Sequence, residues 1–323
     1  MKLPELTIGR FKARIPIVQG GMSVRVSTSS LAAAVADCGG IGTIGGSGIP
    51  IAELKEDIRK AKRMTDGIVA VNIMFAVKQF MEVVKASIEA GVDMIVTGAG
   101  FSRDIFKVGK DHGVPVVSIV SSAEFGRLAE RCGADAIVVE AKEAGGHLGT
   151  DRPLRELFPE VRKAVKKVPL IAAGGITDGF EIAEMLGKFG ADGVQMATRF
   201  VLTKECDVAE GFKLAYLRAT KEDIETLHSP VGLPGRAIRT RFLERLRRGE
   251  PVYDGQCRRG CLKSCDHTFC IIDRLELSRA GDTEEGLFFA GENVWRIKDI
   301  PSVRDLIDRL VSDAESVYAP APA

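Results

Sequence analysis

Eight short apolar runs, most of them separated by longer amphipathic segments, constrain the fold of this chain more than any other feature. Each run is continuously apolar rather than alternating, which is typical of parallel strands buried on both faces. Between two of the runs, Ile51–Met64 spaces its apolar side chains three and four residues apart, as an amphipathic helix does. The eight predicted strands are Ile15–Gln19, Ile41–Ile44, Ile68–Val71, Met94–Thr97, Val116–Val120, Ala136–Val139, Leu170–Ala173 and Gly193–Met196.

Three segments repeat a short pattern where a predicted helix ends and a predicted strand begins. They are Gly91-Val-Asp-Met-Ile-Val, Gly133-Ala-Asp-Ala-Ile-Val and Gly190-Ala-Asp-Gly-Val-Gln. We expect each glycine to take the left-handed conformation that often follows a helix, and each aspartate to hydrogen-bond within the turn. Repeated αβ units, eight in number, predict an α/β fold of the (β/α)8 TIM-barrel type, with an open doubly wound sheet as the alternative.

The pattern changes after the eighth run. Ala209–Ala219 is predicted to be the eighth helix, residues 221–285 are basic, rich in Gly and Cys and irregular, and Pro301–Tyr318 is predicted to be a terminal helix. The final Ala-Pro-Ala-Pro-Ala is expected to be disordered. We therefore divide the chain into a barrel, residues 1–220, and an irregular and helical C-terminal extension, residues 221–323, that packs on it.

Charge and hydropathy exclude several classes of partner. The chain has 45 basic and 44 acidic side chains, so no net field attracts nucleic acid or an anionic membrane. Only 6% of its residues are aromatic, which disfavours a surface that stacks on bases. No apolar run approaches the roughly 20 residues that span a bilayer, and the first 20 residues lack the apolar core of a signal peptide. We expect a cytoplasmic protein that acts on a small molecule.

In such a barrel the active site lies at the C-terminal ends of the strands. The residues that follow the predicted strands there are Gln19-Gly-Gly-Met22, Asn72, Thr97-Gly-Ala-Gly100, Glu140 to His147, Ala173-Gly-Gly-Ile176 and Gln195-Met-Ala-Thr198. Gly174-Gly175 and Ala197-Thr198 follow strands seven and eight, where barrels commonly bind a phosphate through backbone N–H groups. Tight turns alone are the alternative for each glycine pair, but two such sites at neighbouring strand ends favour a phosphate.

His147 is one of only four histidines and follows Gly145-Gly146, in a loop predicted to overhang the barrel mouth. An ordinary imidazole pKa of about 6.5 suits proton transfer near neutrality. The alternative is an exposed loop histidine without a role. Glu140 has a similar alternative, because it could simply end a strand.

Six motifs occur in order along the predicted barrel. They are Pro16-Ile-Val-Gln-Gly-Gly-Met22, Val71-Asn-Ile-Met74, Thr97-Gly-Ala-Gly100, Glu140 with Glu143-Ala-Gly-Gly-His147-Leu-Gly149, Ala172-Ala-Gly-Gly-Ile176 and Gln195-Met-Ala-Thr-Arg-Phe200. Together they resemble the nitronate monooxygenase family, formerly called 2-nitropropane dioxygenases, which includes the flavin-dependent enoyl-acyl-carrier-protein reductase II branch. Each motif is weak by itself, but the ordered set is specific.

The resemblance implies a (β/α)8 barrel that binds FMN. By position, the FMN phosphate would be held by Gly174, Gly175, Gln195, Ala197 and Thr198. Contacts to the flavin ring and ribityl chain would come from Gly21, Met22, Asn72, Glu140, Gly145 and Gly146. His147 matches the active-site histidine of the family, a proton-transfer residue. The flavin would carry the electrons while the protein positions it.

Three departures from the family pattern bear on the substrate. Some monooxygenase members place a lysine in the strand-five segment, where this chain has Val116-Val-Ser-Ile-Val120, and this favours the reductase branch. Ala141 and Ala197 stand where glycine is expected. Both are exchanges of one small residue for another, so they bear on the substrate more than on FMN.

Four cysteines, Cys257, Cys261, Cys265 and Cys270, lie within fourteen residues, and the core family does not explain them. Such a group can ligate an iron–sulfur cluster or, as a second choice, zinc. The spacing matches neither the usual zinc knuckle nor the common ferredoxin run. Free or partly buried thiols are the alternative, and we favour the metal site.

The segment from Arg236 to Arg248 holds six arginines. A solvated helix face or an oligomer contact, such as a homodimer, is the interpretation we favour. The alternative is a docking patch for an anionic partner such as acyl-CoA, acyl carrier protein or the phosphates of NAD(P)H.

Three functions follow from these features. The first is FMN-dependent oxidation of alkyl nitronates with O2. The second is NAD(P)H-dependent reduction of an enoyl thioester; because the chain has no second glycine-rich dinucleotide motif, the nicotinamide would share the flavin pocket. The third is a flavin or iron–sulfur electron-transfer protein or sensor.

Overall fold

A computed structural model describes residues 1–320; residues 321–323 of the Ala-Pro tail, expected to be disordered, lie outside the described part. The strands are β1 (Leu6–Ile8), β2 (Phe11–Ala13), β3 (Ile17–Gln19), β4 (Ile41–Gly45), β5 (Ile68–Met74), β6 (Met94–Gly98), β7 (Val116–Val120), β8 (Ala136–Glu140), β9 (Gly146–His147), β10 (Leu170–Ala173), β11 (Gly193–Met196), β12 (Ile224–His228), β13 (Pro234–Ile238) and β14 (Phe288–Phe289).

The helices are α1 (Ser29–Asp37), α2 (Ile51–Met64), α3 (Phe80–Glu89), α4 (Asp104–His112), α5 (Ala123–Cys132), α6 (Leu154–Ala164), α7 (Gly179–Ala183), α8 (Thr198–Val201), α9 (Glu210–Arg218), α10 (Arg241–Arg247), α11 (Ile271–Arg279) and α12 (Val303–Val317). A π-helical turn at Glu184–Lys188 continues α7. Short 3-10 turns occupy Lys221–Asp223 and Val294–Arg296.

Eight parallel strands close into a barrel in the order β10, β11, β3, β4, β5, β6, β7 and β8. These are the eight predicted strands, so the (β/α)8 barrel is confirmed and the open sheet is excluded. The first strand begins at Ile17 rather than Ile15, because Pro16 has no N–H to donate to a neighbouring strand. The predicted helix Ala209–Ala219 is α9, and the terminal helix is α12.

The continuous apolar runs are explained by two layers of core. One layer fills the barrel and includes Val18, Val96 and Val138, and the β1–β2 hairpin packs Leu6 and Ile8 into the same cluster. The second and larger layer lies between the outer face of the barrel and the surrounding helices. Since each strand supplies side chains to both layers, a polar face is absent from these strands.

The repeated glycine and aspartate serve the turns as predicted. Gly91, Gly133 and Gly190 all have positive φ, between 66° and 94°. The carboxylate of Asp135 accepts a hydrogen bond from the N–H of Val116 at 2.8 Å, and Asp93 and Asp192 make equivalent bonds to the starts of β5 and β10. Each aspartate thus anchors the first residues of a neighbouring barrel strand.

Residues 221–285 are more ordered than the sequence suggested. They form the β12–β13 hairpin and helices α10 and α11, and β13 also pairs with β14 and with β9 of the barrel loop. The extension therefore joins the barrel through strand pairing as well as side-chain packing. In the part of the chain that the structure describes, no helix combines the length and the apolar character that a membrane crossing requires.

Candidate active site

A large cavity opens at the C-terminal ends of the barrel strands. It encloses about 1120 Å³, counting the open space at its mouth, which reaches the upper end of the size range of small-molecule sites. Its walls come from the barrel loops and from the extension, and they include Gly20, Gly21, Met22, Ser23, Asn72, Met74, Gly98, Ile119, Glu140, Gly145, Gly146, His147, Gln195, Ala197, Thr198, Phe212, Tyr216, Leu275, Leu287 and Phe289. We call this space the barrel cavity.

A smaller cavity of about 470 Å³ adjoins it at the ends of β10 and β11. The two share Glu140, Gly145, Gln195, Ala197 and Thr198, and the smaller one adds Gly174, Gly175, Thr177, Gly291 and Asn293. All eleven residues predicted to bind the cofactor thus lie in the walls of these two connected spaces. Their roles in binding stay predictions, while the structure establishes their proximity.

The smaller cavity has the shape of an anion cradle. Gly174 and Gly175 have φ of +121° and +73°, and their N–H groups make no backbone hydrogen bond within residues 1–320. A Cβ at Gly175 would lie 2.9 Å from the Cβ of Glu143 and 3.1 Å from Nδ2 of Asn293. Free N–H groups and absent side chains are what a phosphate requires, so these residues fit the phosphate of a flavin mononucleotide.

Residues of the C-terminal extension form hydrogen bonds that hold the rim of this cradle. The hydroxyl of Thr198 accepts a hydrogen bond from the N–H of Gly291 at 2.9 Å, and Nδ2 of Asn293 donates to the carbonyl of Gly175 at 2.7 Å. The Gly145 backbone runs so close to Ala290 that a Cβ would lie 2.5 Å from its carbonyl carbon. Residues 290–293 therefore complete a wall that the barrel motifs begin.

On the opposite side, the loop after β3 approaches β5. Nδ2 of Asn72 donates to the carbonyl of Gly21 at 3.2 Å, and a Cβ on Gly21 would lie 2.4 Å from the Cβ of Asn72. Only glycine permits this contact. The loop is also strained, since Val24 and Arg25 have φ of 55° and 62°, which branched and bulky residues rarely adopt.

Glu140 ends β8 and lies between the two cavities. Burial away from water raises the pKa of its carboxyl group to about 7, because no partner compensates the charge. The carboxyl can therefore exchange a proton near neutral pH.

His147 lies in β9, which pairs with β13 of the extension through Gly235 and Arg236. Its Nε2 is 2.8 Å from the hydroxyl of Ser229, and its ring meets the edge of Phe289 at a centroid distance of 5.2 Å. Burial lowers the pKa of His147 to about 4, so the imidazole is neutral at physiological pH. Nε2 is engaged by Ser229, whereas Nδ1 makes no hydrogen bond within residues 1–320.

Ser229 is itself held in place. It is fully buried, its N–H donates to the carbonyl of Leu233, and its carbonyl accepts from the N–H of Gly232. These bonds form the turn between β12 and β13. The turn therefore fixes the hydroxyl that orients His147.

Sequence reasoning missed the part of the site that the extension supplies. Phe289, Leu275 and Leu287 line the barrel cavity and Ser229 bonds to His147, yet none of them carries a motif. Tyr216 on α9 of the barrel, which also lines the cavity, looked like an ordinary helix residue. One signal was present, since the apolar run that contains Phe288 and Phe289 breaks an otherwise polar stretch. It indicated burial but could not indicate the site.

The structure gives no support to the predicted metal site at the four cysteines. Within residues 1–320, no group of three or more His, Cys, Asp and Glu side chains is arranged to hold a metal ion. Cys257 is exposed, and its Sγ accepts a hydrogen bond from the N–H of Gly260 at 3.3 Å. Cys270 is the N-cap residue of α11, while Cys261 lies in a loop that is bridged to Val77 and Lys78.

Most of the six arginines between Arg236 and Arg248 are engaged within the chain. Arg236 donates to the carbonyl of Lys142 at 2.8 Å, Arg245 bonds to Glu285 at 3.1 Å, and Arg248 bonds to Glu250 at 2.6 Å. The segment therefore stabilises the extension and offers little free charge to an anionic partner.

Comparison with known proteins identifies the family. A model of the nitronate monooxygenase family matches residues 5–313. A Mycobacterium tuberculosis protein named (3aS,4S,5R,7aS)-5-hydroxy-7a-methyl-1-oxo-octahydro-1H-indene-4-carboxyl-CoA dehydrogenase is 30% identical over 93% of this chain and 92% of its own length. A probable nitronate monooxygenase from Staphylococcus saprophyticus is 26% identical over 76% of this chain and 81% of its own.

Among solved structures, FabK from Thermotoga maritima superposes with a TM-score of 0.85 and 31% identity, over 94% of both chains. The family model covers barrel and extension alike, and the closed eight-stranded barrel is the fold that the family resemblance predicts. The chain therefore belongs to the nitronate monooxygenase family and is a flavin-dependent oxidoreductase of that family.

Proposed function

We propose that this enzyme uses FMN to add two hydrogens to the Cα–Cβ double bond of an enoyl thioester, or to remove them in the reverse direction. NAD(P)H is the electron donor in the first direction, and NAD(P)+ is the acceptor in the second. One observation carries the proposal. A neutral imidazole, fixed through Nε2, lines a largely apolar cavity at the C-terminal ends of the barrel strands. The thioester is supported by relatives: the protein named as a carboxyl-CoA dehydrogenase and FabK match almost the full chain.

When bound, FMN supplies the two-electron chemistry that protein side chains lack. Its phosphate would be held by Gly174, Gly175, Ala197 and Thr198, with Gln195 beside them. Gly21, Met22, Asn72, Gly145 and Gly146 would border the rest of the molecule. Because the walls of this region are backbone and small side chains, a planar ring can approach them closely.

His147 would accept and donate the proton of the reaction. In the overall exchange, an enoyl thioester, NAD(P)H and a proton give the saturated thioester and NAD(P)+, and the reverse reaction releases the same proton. The hydrogen at Cβ moves as hydride and the hydrogen at Cα as a proton. His147 can accept the Cα proton at Nδ1 in the oxidative direction and return it in the reductive one, while Ser229 holds the ring in place.

The apolar walls would exclude water from this exchange. The cavity walls include the apolar side chains of Phe212, Leu287 and Phe289 together with Tyr216. The Tyr216 hydroxyl donates a hydrogen bond to the carbonyl of Phe289. Since burial strongly raises the pKa of Tyr216, this phenol stays protonated and takes no part in proton transfer. His147 and Glu140 are then the titratable groups available to the substrate.

Anaerobic mixing tests the proposal. The FMN-loaded enzyme is mixed with NADH or NADPH, and then with the crotonyl thioester of N-acetylcysteamine, while flavin absorbance is followed. We expect bleaching by one nicotinamide and recovery of the flavin band on addition of the thioester. A flavin that neither NADH nor NADPH reduces, or that the thioester does not reoxidise, would contradict the proposal.

Nitronate oxidation with O2 is the second candidate. It is supported by the family model, and a nitronate, which is already deprotonated at its α-carbon, requires no base for its oxidation. Aerobic turnover of propyl-2-nitronate, without any nicotinamide, is the result that would favour it. The cysteine arrangement gives no support to an iron–sulfur electron-transfer role.

A further inference from the structure

The two neighbours of Ser229 in the β12–β13 turn both contact one aspartate from a distant part of the extension. Nε2 of His228 lies 2.9 Å from Oδ2 of Asp266, and the carbonyl of Pro230 accepts a hydrogen bond from the N–H of Asp266 at 3.3 Å. Ser229 lies between these two contacts, and its hydroxyl is 2.8 Å from Nε2 of His147. Asp266 therefore holds the chain on either side of the residue that orients the imidazole.

Asp266 is itself fixed by short-range hydrogen bonds. Its Oδ1 accepts from the N–H of Thr268 at 2.9 Å and also from the Thr268 hydroxyl. These bonds close an Asx turn around His267, whose φ of 60° is one that residues other than glycine rarely adopt. The carboxylate thus sets the local backbone, including the N–H that reaches Pro230. Because the side chain of Asp266 is 35% exposed, its removal opens no cavity in the core.

We call residues 257–270 the cysteine-rich segment, and its other anchor is the barrel. The N–H of Lys78 donates to the carbonyl of Cys261, and the N–H of Lys263 donates to the carbonyl of Ala76, both at 2.9 Å. Asp266 follows shortly after the second of these bonds. The cysteine-rich segment therefore connects the loop after β5 to the turn that carries Ser229.

We propose that Asp266 is a positioning residue for His147 and acts through the turn at Ser229. The inference rests on the proposed function, which assigns proton transfer to His147. Among residues 1–320, Asp266 lies outside the walls of the barrel cavity, so its influence on the imidazole passes through Ser229. Without the carboxylate, the turn adopts more conformations, the hydroxyl leaves Nε2 in some of them, and the ring loses its single orientation.

The two half-reactions of the FMN-loaded enzyme test the inference. Reduction by NAD(P)H needs no proton from His147, whereas reoxidation by the crotonyl thioester does. We expect Asp266→Ala to slow reoxidation about three- to fivefold, the effect of losing one positioning hydrogen bond. The rate of reduction and the dissociation constant of FMN should stay unchanged. Stopped-flow absorbance measures both rates, and equal slowing of both would mean a general structural role and would overturn the inference.

Two further variants separate positioning from a loss of folding. In Asp266→Asn the amide oxygen can still accept from Thr268 and the amide N–H can bond to His228, so we expect most of the rate to return. Asp254→Ala is the matched control. Asp254 also accepts from an N–H two residues on, that of Gln256 at 3.0 Å, and pairs with a neighbouring arginine at 2.6 Å. It makes no hydrogen bond to the β12–β13 turn within residues 1–320, so this variant should react at the wild-type rate.

A double variant tests the route through Ser229. Because Asp266 acts on His147 through Ser229, Asp266→Ala should change the rate of reoxidation little once Ser229→Ala is present. If the two losses multiply instead, Asp266 acts by another route and the assignment is wrong.

A measurement without substrate separates this inference from the proposed function. Selective isotope labelling of the histidine nitrogens and NMR report the protonation of the ring in the FMN-loaded enzyme, and the His147 signals are identified by their loss in His147→Gln. We expect these signals in Asp266→Ala to shift towards those of Ser229→Ala, and in Asp254→Ala to keep their wild-type positions. Wild-type signals in Asp266→Ala would overturn the inference even if the thioester reoxidises the flavin. Signals that shift as expected, in an enzyme that the thioester does not reoxidise, would support the positioning role while the proposed function fails.

Discussion

The two sides of the active site are built in opposite ways. The side that we propose to hold the cofactor, around Gly174, Gly175 and Thr198, consists mainly of backbone at the ends of adjacent barrel strands, and we call it the cofactor side. The side that we propose to transfer the proton, around His147 and Ser229, is called the proton side and consists of side chains brought together by pairing between residues more than 80 positions apart. The first side depends on local turns, the second on the register of a distant hairpin. Substitutions on the two sides should therefore affect different properties.

Replacing His147 with Ala gives the sharpest separation of the two sides. We expect turnover to fall about 10²–10⁴-fold, the usual contribution of a positioned proton-transfer group, while the dissociation constant of FMN stays unchanged. Steady-state rates and a fluorescence titration of FMN measure the two properties. Unchanged turnover would remove His147 from the mechanism.

Glu140 lies where the two sides meet, and its pKa gives a prediction for stability. A carboxyl whose folded pKa is about 7 binds its proton more tightly in the folded state, so folding stability falls as pH rises from about 4.5 to 7. Glu140→Gln should remove this loss. In the flavin-free protein it should raise the free energy of unfolding by about 3 kcal/mol at pH 8 and leave it nearly unchanged at pH 4.5.

Urea denaturation of both proteins at the two pH values measures the difference. The lowered pKa of His147 has the opposite effect, costing stability as pH falls from about 6.5 towards 4. It is present in both proteins and cancels in the comparison. An advantage of Glu140→Gln that is equal at pH 4.5 and pH 8 would mean that the carboxyl is not held neutral.

Gly175→Ala tests the cofactor side. Its added Cβ would lie 2.9 Å from the Cβ of Glu143, and we expect FMN affinity to fall at least tenfold. Gly190→Ala is the matched control, because Gly190 has a similar φ of +66° but nothing within 4 Å of an added Cβ. Both variants carry the same backbone strain, so the difference in FMN affinity between them reports the cradle. Equal FMN affinities of the two variants would show that Gly175 does not contribute to a phosphate cradle.

Ser229→Ala should have the smallest effect. Loss of one hydrogen bond to the imidazole is worth about 1 kcal/mol, so we expect turnover to fall roughly fivefold. The pH dependence should also shift, because the ring nitrogens are no longer distinguished, and Ser229→Thr should restore much of the rate. A slower variant with an unchanged pH profile would assign Ser229 a structural role only.

Local patterns explain what the sequence could predict. The eight strands were recognisable because each is buried on both faces, and the strand-end glycines because a tight turn or an anion excludes side chains. These signals lie within a few residues of the positions they describe. The family motifs added His147 and the cofactor residues on the same local basis.

Long-range pairing explains which features could not be predicted from the sequence. The β12–β13 hairpin contains Pro234, which argues against a strand, and its residues alternate only weakly between buried and exposed. Nothing near Ser229 indicates that it meets His147. The cysteine spacing has the same limit, since it counts candidate ligands but does not place the thiols in space, and the metal site stays a prediction.

The pairing of β9 with β13 and of β13 with β14 also sets an order of assembly. Residues up to Thr198, which build most of the phosphate cradle, are synthesised before the hairpin that orients His147 and well before Phe289. At about 5–20 residues per second, the ribosome needs roughly 7–30 s between His147 and Phe289. During this interval the nascent chain holds most of the barrel but lacks a finished proton site. Catalytic competence is thus among the last properties that the chain acquires as it is made.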